Sequence, residues 1–172
     1  MTEPRILVAC IGNIFLGDDG FGPEVARRLA TRLLPPEVLT RDFGIRGLDL
    51  TYALLEPYEL VILVDACACG GEPGDVYLLE PDRIEAEAPI QLEAHAMNPM
   101  NVLRAVQSMG GMTNRIVIVG CKPADFGPEE GKLGLSEPVA AAVGEAVLMI
   151  ETLVARVLAG GAVEEVNVLQ AG

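Results

Sequence analysis

The sequence predicts one α/β domain, a mainly parallel, twisted sheet of about five strands with helices on both faces. Three observations carry that expectation. Short β-branched apolar runs alternate along the chain with segments of helical periodicity. Parallel strands need long crossovers, and the helical segments supply them. The 172 residues are enough for one well-filled core and too few for two ordinary domains.

Arg5 to Cys10 (RILVAC) has the pattern of a buried strand, and Ile11-Gly12-Asn13 closes it in a turn. From about Asp19 to Leu34 apolar residues recur at helical spacing through Phe21, Val25, Leu29 and Leu33, until Pro35-Pro36 stops the pattern. Val38 to Asp42 reads as a second strand and Gly47 to Leu55 as a short helix. Leu60 to Val64 (LVILV) is apolar at every position, as a strand covered on both faces must be, and Asp65 follows it directly. Val76 to Leu79 is a further strand. Asn98 to Met109 reads as a helix with Asn98 as its cap and Pro99 in the first turn. Arg115 to Val119 (RIVIV) is another strand, and Ser136 opens a long helix to about Leu158. Asp82 to Pro89 and Ala124 to Gly134 are acidic loops bearing Pro or Gly, and residues 160–172 are expected to fray as a tail.

The composition narrows the function. A formal net charge of −13 repels phosphate backbones and anionic headgroups, so nucleic acid is excluded as a partner class. The start, MTEPRILVAC, lacks the basic region and long apolar stretch of a secretory signal. The apolar stretch Val139 to Ala159 is interrupted by Glu145, Glu151 and Arg156, which suits an amphipathic helix better than a membrane span. A cytoplasmic protein without membrane insertion is expected. Cys10, Cys67, Cys69 and Cys121 read as reduced, mostly buried thiols, because C-x-C is neither a redox pair nor a zinc-ribbon spacing.

The chemistry concentrates in Gly12 to Gly22 (GNIFLGDDGFG), between the first strand and the first helix. Glycines at 12, 17, 20 and 22 do not match a dinucleotide-binding loop, and two carboxylates stand where a pyrophosphate would need an uncharged helix N-terminus. One aspartate is explained as an N-cap. Asp18 is taken as that structural member and Asp19 as the ligand, although spacing does not separate them. Asp65, at the end of a buried strand, should emerge at the same carboxyl edge of the sheet, where open α/β sheets bind ligands. His95, the single histidine, precedes a capped helix. Two carboxylates and an imidazole suit a borderline divalent ion such as nickel or zinc, with positions left for substrate or water. A serine nucleophile has no G-x-S-x-G elbow to sit in, and a thiol nucleophile from Cys67 or Cys69 beside His95 is the weaker alternative.

GNIFLGDDGFG resembles the G-N-x-L-x-x-D-D/E-G-x-G signature of the hydrogenase maturation endopeptidases. DFGIRGLDL at 42–50, VILVDA at 61–66, EAHAMNP at 93–99, VGCKP at 119–123 and GLSEPV at 134–139 follow in that family's order. The resemblance implies cleavage of a C-terminal extension from a nickel-iron hydrogenase large-subunit precursor after nickel insertion. It places the metal ligands on Asp19, Asp65 and His95, and an aspartate important for activity on Asp42. Nickel is expected to arrive with the precursor and not as a tightly bound prosthetic metal. The chain departs from the family where Phe43-Gly44-Ile45 replaces G-G-T after Asp42, and where Asp19 stands in a position that can hold Glu. The alternatives are a non-cleaving nickel chaperone of the precursor and a nucleotide-binding α/β enzyme.

Overall fold

The structure, a computed structural model, describes residues 3–67, 71–80, 98–111 and 114–163. Its strands are β1 (Ile6–Ile11), β2 (Val38–Gly44), β3 (Leu60–Ala66), β4 (Val76–Leu79) and β5 (Ile116–Cys121), in the order β2-β1-β3-β5-β4. β2, β1, β3 and β5 run parallel, and β4 pairs antiparallel with β5. The helices are α1 (Phe21–Leu29), α2 (Gly47–Leu54), α3 (Pro99–Ser108) and α4 (Glu137–Leu158), with a 3-10 turn at Gly17–Gly20 ahead of α1.

Period-two alternation distributes the core. Ile6, Val8 and Cys10 of β1, with Leu60, Ile62 and Val64 of β3, face α1 and α4. Leu7, Ala9 and Ile11, with Val61 and Leu63, face α2 and α3. Because both faces are covered, β1 and β5 are buried along their whole length, which is why their sequences are continuously apolar. α4 is long and apolar enough by composition to cross a membrane. Here its stripe of Val139, Val143, Val147, Ile150 and Val154 is buried against the sheet instead. Each such fully buried side chain contributes roughly 1.5–3 kcal/mol.

Several elements differ from the sequence pattern. α1 ends at Leu29, not near Leu34, and Leu33 is fully exposed. Leu34 packs on the core from the segment that connects α1 to β2. Asp65 lies inside β3, opposite Gly120 of β5, and not after the strand. Asn98 caps α3 as expected, its Oδ1 accepting the Met100 N–H at 2.9 Å. Ser136 occupies the α4 cap position, but its side chain makes no cap hydrogen bond. Of the segment expected to fray, Val163 packs in the core and residues 164–172 lie outside the described residues, as does the loop from Asp82 to Pro89.

Chain direction positions the site. From β1 the chain moves outward to β2, then crosses to β3 on the other side of β1, so the segments leaving β1 and β3 diverge. That divergence opens a crevice at the carboxyl ends of two adjacent parallel strands. α1, α2 and α4 each begin where a parallel strand ends, which gathers their N-termini at the same edge.

Candidate active site at the carboxyl edge

Two glycines let α1 sit on the strand ends. Gly12 has φ +143, and a Cβ there would overlap the Asp19 carbonyl oxygen. A Cβ on Gly22 would overlap the Ile11 carbonyl oxygen and stand 2.7 Å from that of Val64. Only glycine permits both approaches. The 3-10 turn is thereby held over β1 and β3 with Asp19 in it. The Asp19 Oδ2 accepts the Asn13 N–H at 2.8 Å, and the Asn13 Oδ1 in turn accepts the Phe15 N–H at 2.9 Å.

Asp19 and Asp65 are each only 9% exposed. Burial, and then the negative charge of Asp19, hold the Asp65 carboxyl well above the ordinary carboxylate range, opposed by the Ala66 backbone N–H. Burial also raises Asp19, opposed by its hydrogen bond from Asn13. Both carboxylates are thus buried at the β1/β3 crevice, with the charge of Asp19 acting on Asp65. Such a pair either retains a proton or welcomes a cation.

Asp18 is chemically unlike its neighbour. It is fully buried, yet its Oδ2 accepts the Ala124 N–H (2.8 Å), the Asp125 N–H (2.9 Å) and the Ser136 hydroxyl (2.8 Å), and its Oδ1 the Ser136 N–H (2.7 Å). Burial would raise its pKa, but the donors from Ser136, Asp125 and Ala124 together outweigh burial and lower it. Asp18 is therefore a fully satisfied anion that pins the turn to the loop before α4. Asp19 keeps one oxygen without a hydrogen-bond partner among the described residues. The sequence reading of Asp18 as the structural member agrees with this, but not its expected role as a helix cap, since its bonds go to Ala124, Asp125 and Ser136 and neither the 3-10 turn nor α1 has a side-chain cap bond. The one trace of these bonds in the sequence is the GLSEPV segment, where Ser136 resembles an ordinary cap.

Asp42 stands apart from the acid pair. It is exposed near the end of the edge strand β2, opposite Cys10 and on the α1 side of the sheet, whereas Asp65 shares the α2/α3 side with Val61 and Leu63. Its Oδ1 accepts the Gly44 N–H at 2.9 Å, and Gly44 has φ +54. The departure at Phe43 has a packing reason: that ring is buried on the α2/α3 side, while Ile45 is exposed. His95 and Cys69 lie outside the described residues. Burial, reinforced by Asp42, drives the Cys10 thiol far above its usual range. Cys121 is pushed up to about 12 by burial, then by Asp18, Glu145 and Asp75. Cys67 packs its sulfur over Gly120, where a Cβ would overlap it.

The sequence profile of the hydrogenase maturation proteases matches residues 23–153. The chain is similar to a protein assigned as a hydrogenase maturation protease in Methanocaldococcus jannaschii, 32% identical over 151 residues that cover 87% of this chain and 96% of that one. Among solved structures, it is similar to the hydrogenase 2 maturation peptidase of a Thaumarchaeota archaeon, 35% identical with a TM-score of 0.60 over 85% of this chain and 95% of the other. It is also similar to the hydrogenase maturating endopeptidase HybD from Escherichia coli, 27% identical with a TM-score of 0.71 over 91% and 94% of the two chains.

Proposed function

This chain belongs to the hydrogenase maturation protease family, and on that premise we propose that it removes the C-terminal extension of a nickel-iron hydrogenase large-subunit precursor after nickel insertion. In this reading Asp19, Asp65 and His95 engage the nickel that the precursor carries, and Asp42 acts on the peptide beside it. The metal is part of the substrate.

The observation that supports the reading is the coupled acid pair. Both carboxylates are raised by burial, Asp65 also by the negative charge of Asp19, and a divalent cation beside them would offset the burial and that repulsion. Among the described residues, no group of three His, Cys, Asp or Glu side chains is placed to hold a metal. The pair by itself is thus a partial site, and His95 of the EAHAMNP segment is assigned as the third donor. Three donors leave positions for ligands from the precursor, so recognition follows metal loading. Hydrolysis then adds water to the scissile carbonyl, leaving a carboxylate on the mature subunit and an amine on the released extension. A cytoplasmic location fits this substrate, and the burial of the α4 apolar stripe supports a chain that does not insert into a membrane.

The test is incubation of the purified protein with nickel-loaded and nickel-free precursor side by side, with the products weighed by mass spectrometry. Only the loaded precursor should be shortened, and His95→Ala should leave it intact. Equal cleavage of both forms removes nickel from the recognition step. Stable binding of loaded precursor with no change in mass supports the chaperone alternative.

A further inference from the structure

A groove of 940 Å³ passes the turn that carries Asp19; Asp42 lines it, but neither Asp19 nor Asp65 does. Gly17 and Gly20, which flank Asp18 and Asp19, line it. Ile14, Leu133 and Leu135 give it apolar surface, while Arg28, Thr40, Asp42 and the Glu24–Arg27 ion pair give it polar groups of both signs. Ile14 is 49% and Leu133 70% exposed, so large apolar side chains stand open to solvent there.

Three further observations point to what fills the groove. Among the described residues β2 is an edge strand paired only with β1, and no other backbone group bonds Leu39 to Arg41. Such an edge presents alternate N–H and C=O groups that an extended peptide can pair with. The Thr40 Oγ1 is buried without a hydrogen-bond partner, and an unmade bond at a buried hydroxyl is a standing cost that a bound peptide group removes. The Arg28 guanidinium has no ion-pair partner among the described residues, whereas neighbouring Arg27 is held by Glu24 at 2.8 Å. Glu24 and Asp42 also line the groove, and with Glu24 held by Arg27, Arg28 is the lining cation left to meet a peptide carboxylate.

We propose that this groove seats the precursor's C-terminal extension as a strand added to the open edge of β2. An apolar side chain of the peptide lies against Ile14, Leu133 and Leu135, a backbone group satisfies Thr40, and a peptide carboxylate meets Arg28. Asp42, with Oδ1 held by Gly44, offers its other oxygen to a peptide N–H. The proposal rests on the proteolytic reading and adds to it the subsite that orients the peptide.

The experiment measures cleavage of nickel-loaded precursor, and separately the binding of a fluorescein-labelled synthetic peptide of the precursor's own extension. Thr40→Val, Arg28→Ala and Leu133→Asp are compared with wild type and with Leu148→Asp, an exposed α4 position outside the groove. Each groove variant should raise KM about five-fold or more with kcat within about two-fold, and weaken peptide binding in parallel. Leu148→Asp should change neither. Thr40→Val carries a separate signature, because removing an unsatisfied hydroxyl should raise the Tm of the free protein while it lowers peptide affinity. N-methylating alternate amides of the peptide should abolish binding for one alternating set and spare it for the other. Unchanged KM and peptide affinity in all three variants overturns the groove even if wild type cleaves. A wild type that binds peptide groove-dependently but cuts no precursor overturns the protease reading and leaves the groove standing.

Discussion

Ser136 is joined twice to Asp18, across 118 residues of sequence: its backbone N–H donates to Oδ1 at 2.7 Å and its hydroxyl to Oδ2 at 2.8 Å. With the N–H groups of Ala124 and Asp125 on the same carboxylate, this fastens the turn that carries Asp19 to the segment entering α4. The same two segments also meet through backbone bonds, Gly17 N–H to Lys132 O and Lys132 N–H to Phe15 O, both 2.8 Å.

Replacing Asp18 by Asn should destabilise the protein by about 1–3 kcal/mol, since an amide must turn its NH₂ toward at least one buried N–H donor. Ser136→Ala, which removes only the hydroxyl bond, should cost about 0.5–1.5 kcal/mol. Urea unfolding measures both. The pH dependence has a definite sign. Asp18 is held below its ordinary value, so its contribution is full above an unfolded pKa of about 3.9 and fades as pH falls through the lower folded value. Asp18→Asn should flatten that acid limb, and an unchanged midpoint would show that the four donors contribute nothing.

Asp65→Asn should stabilise the free protein at neutral pH while abolishing precursor processing. Asp65 is raised, so its ionisation penalty is absent below an unfolded pKa of about 3.9 and grows as pH rises toward the folded value. The Tm advantage of the variant should therefore widen between pH 4 and pH 7, by roughly 2–4 °C for each kcal/mol gained. A variant less stable than wild type at pH 7 would mean that the acid pair is not strained. Stabilisation paired with lost activity is the usual mark of a functional group held in an unfavourable place.

Cysteine chemistry should be dispensable. A protein carrying Cys10→Ala, Cys121→Ala, Cys67→Ser and Cys69→Ser should process loaded precursor with kcat/KM within about three-fold of wild type. Cys10 and Cys121 are buried with raised thiol pKa values, which disfavours the nucleophilic thiolate at either. If the variant folds without activity, and returning Cys67 or Cys69 alone restores it, the mechanism belongs to a thiol.

The apolar runs ILVAC, LVILV and IVIV are readable as strands because burial on both faces leaves no polar position to confuse the pattern, and Arg5 and Arg115 lie just outside β1 and β5. Val76–Leu79 is readable as a strand but not as the antiparallel one, because direction is set by the partner and not by the residues. Leu33 misleads for a related reason: periodicity reports what a helix could bury, and the turn toward Pro35 leaves that side chain in water. The glycines of GNIFLGDDGFG are visible in sequence, but the contacts that require Gly12 and Gly22 involve Asp19, Ile11 and Val64.

The sequence by itself determined the fold class, the placing of Asp19 and Asp65 near strand ends, and the family to compare with, because propensity, periodicity and motif order are written in local residue types. Tertiary contacts decide how Asp18 acts, as an anchor to the loop before α4 and not as a helix cap, that the charge of Asp19 bears on Asp65, and that Asp42 opens onto a different groove. A carboxylate's role is set by the donors and charges around it. Here those are Ala124, Asp125 and Ser136 for Asp18, and Asp65 for Asp19, and only the strand order β2-β1-β3-β5-β4 brings them together.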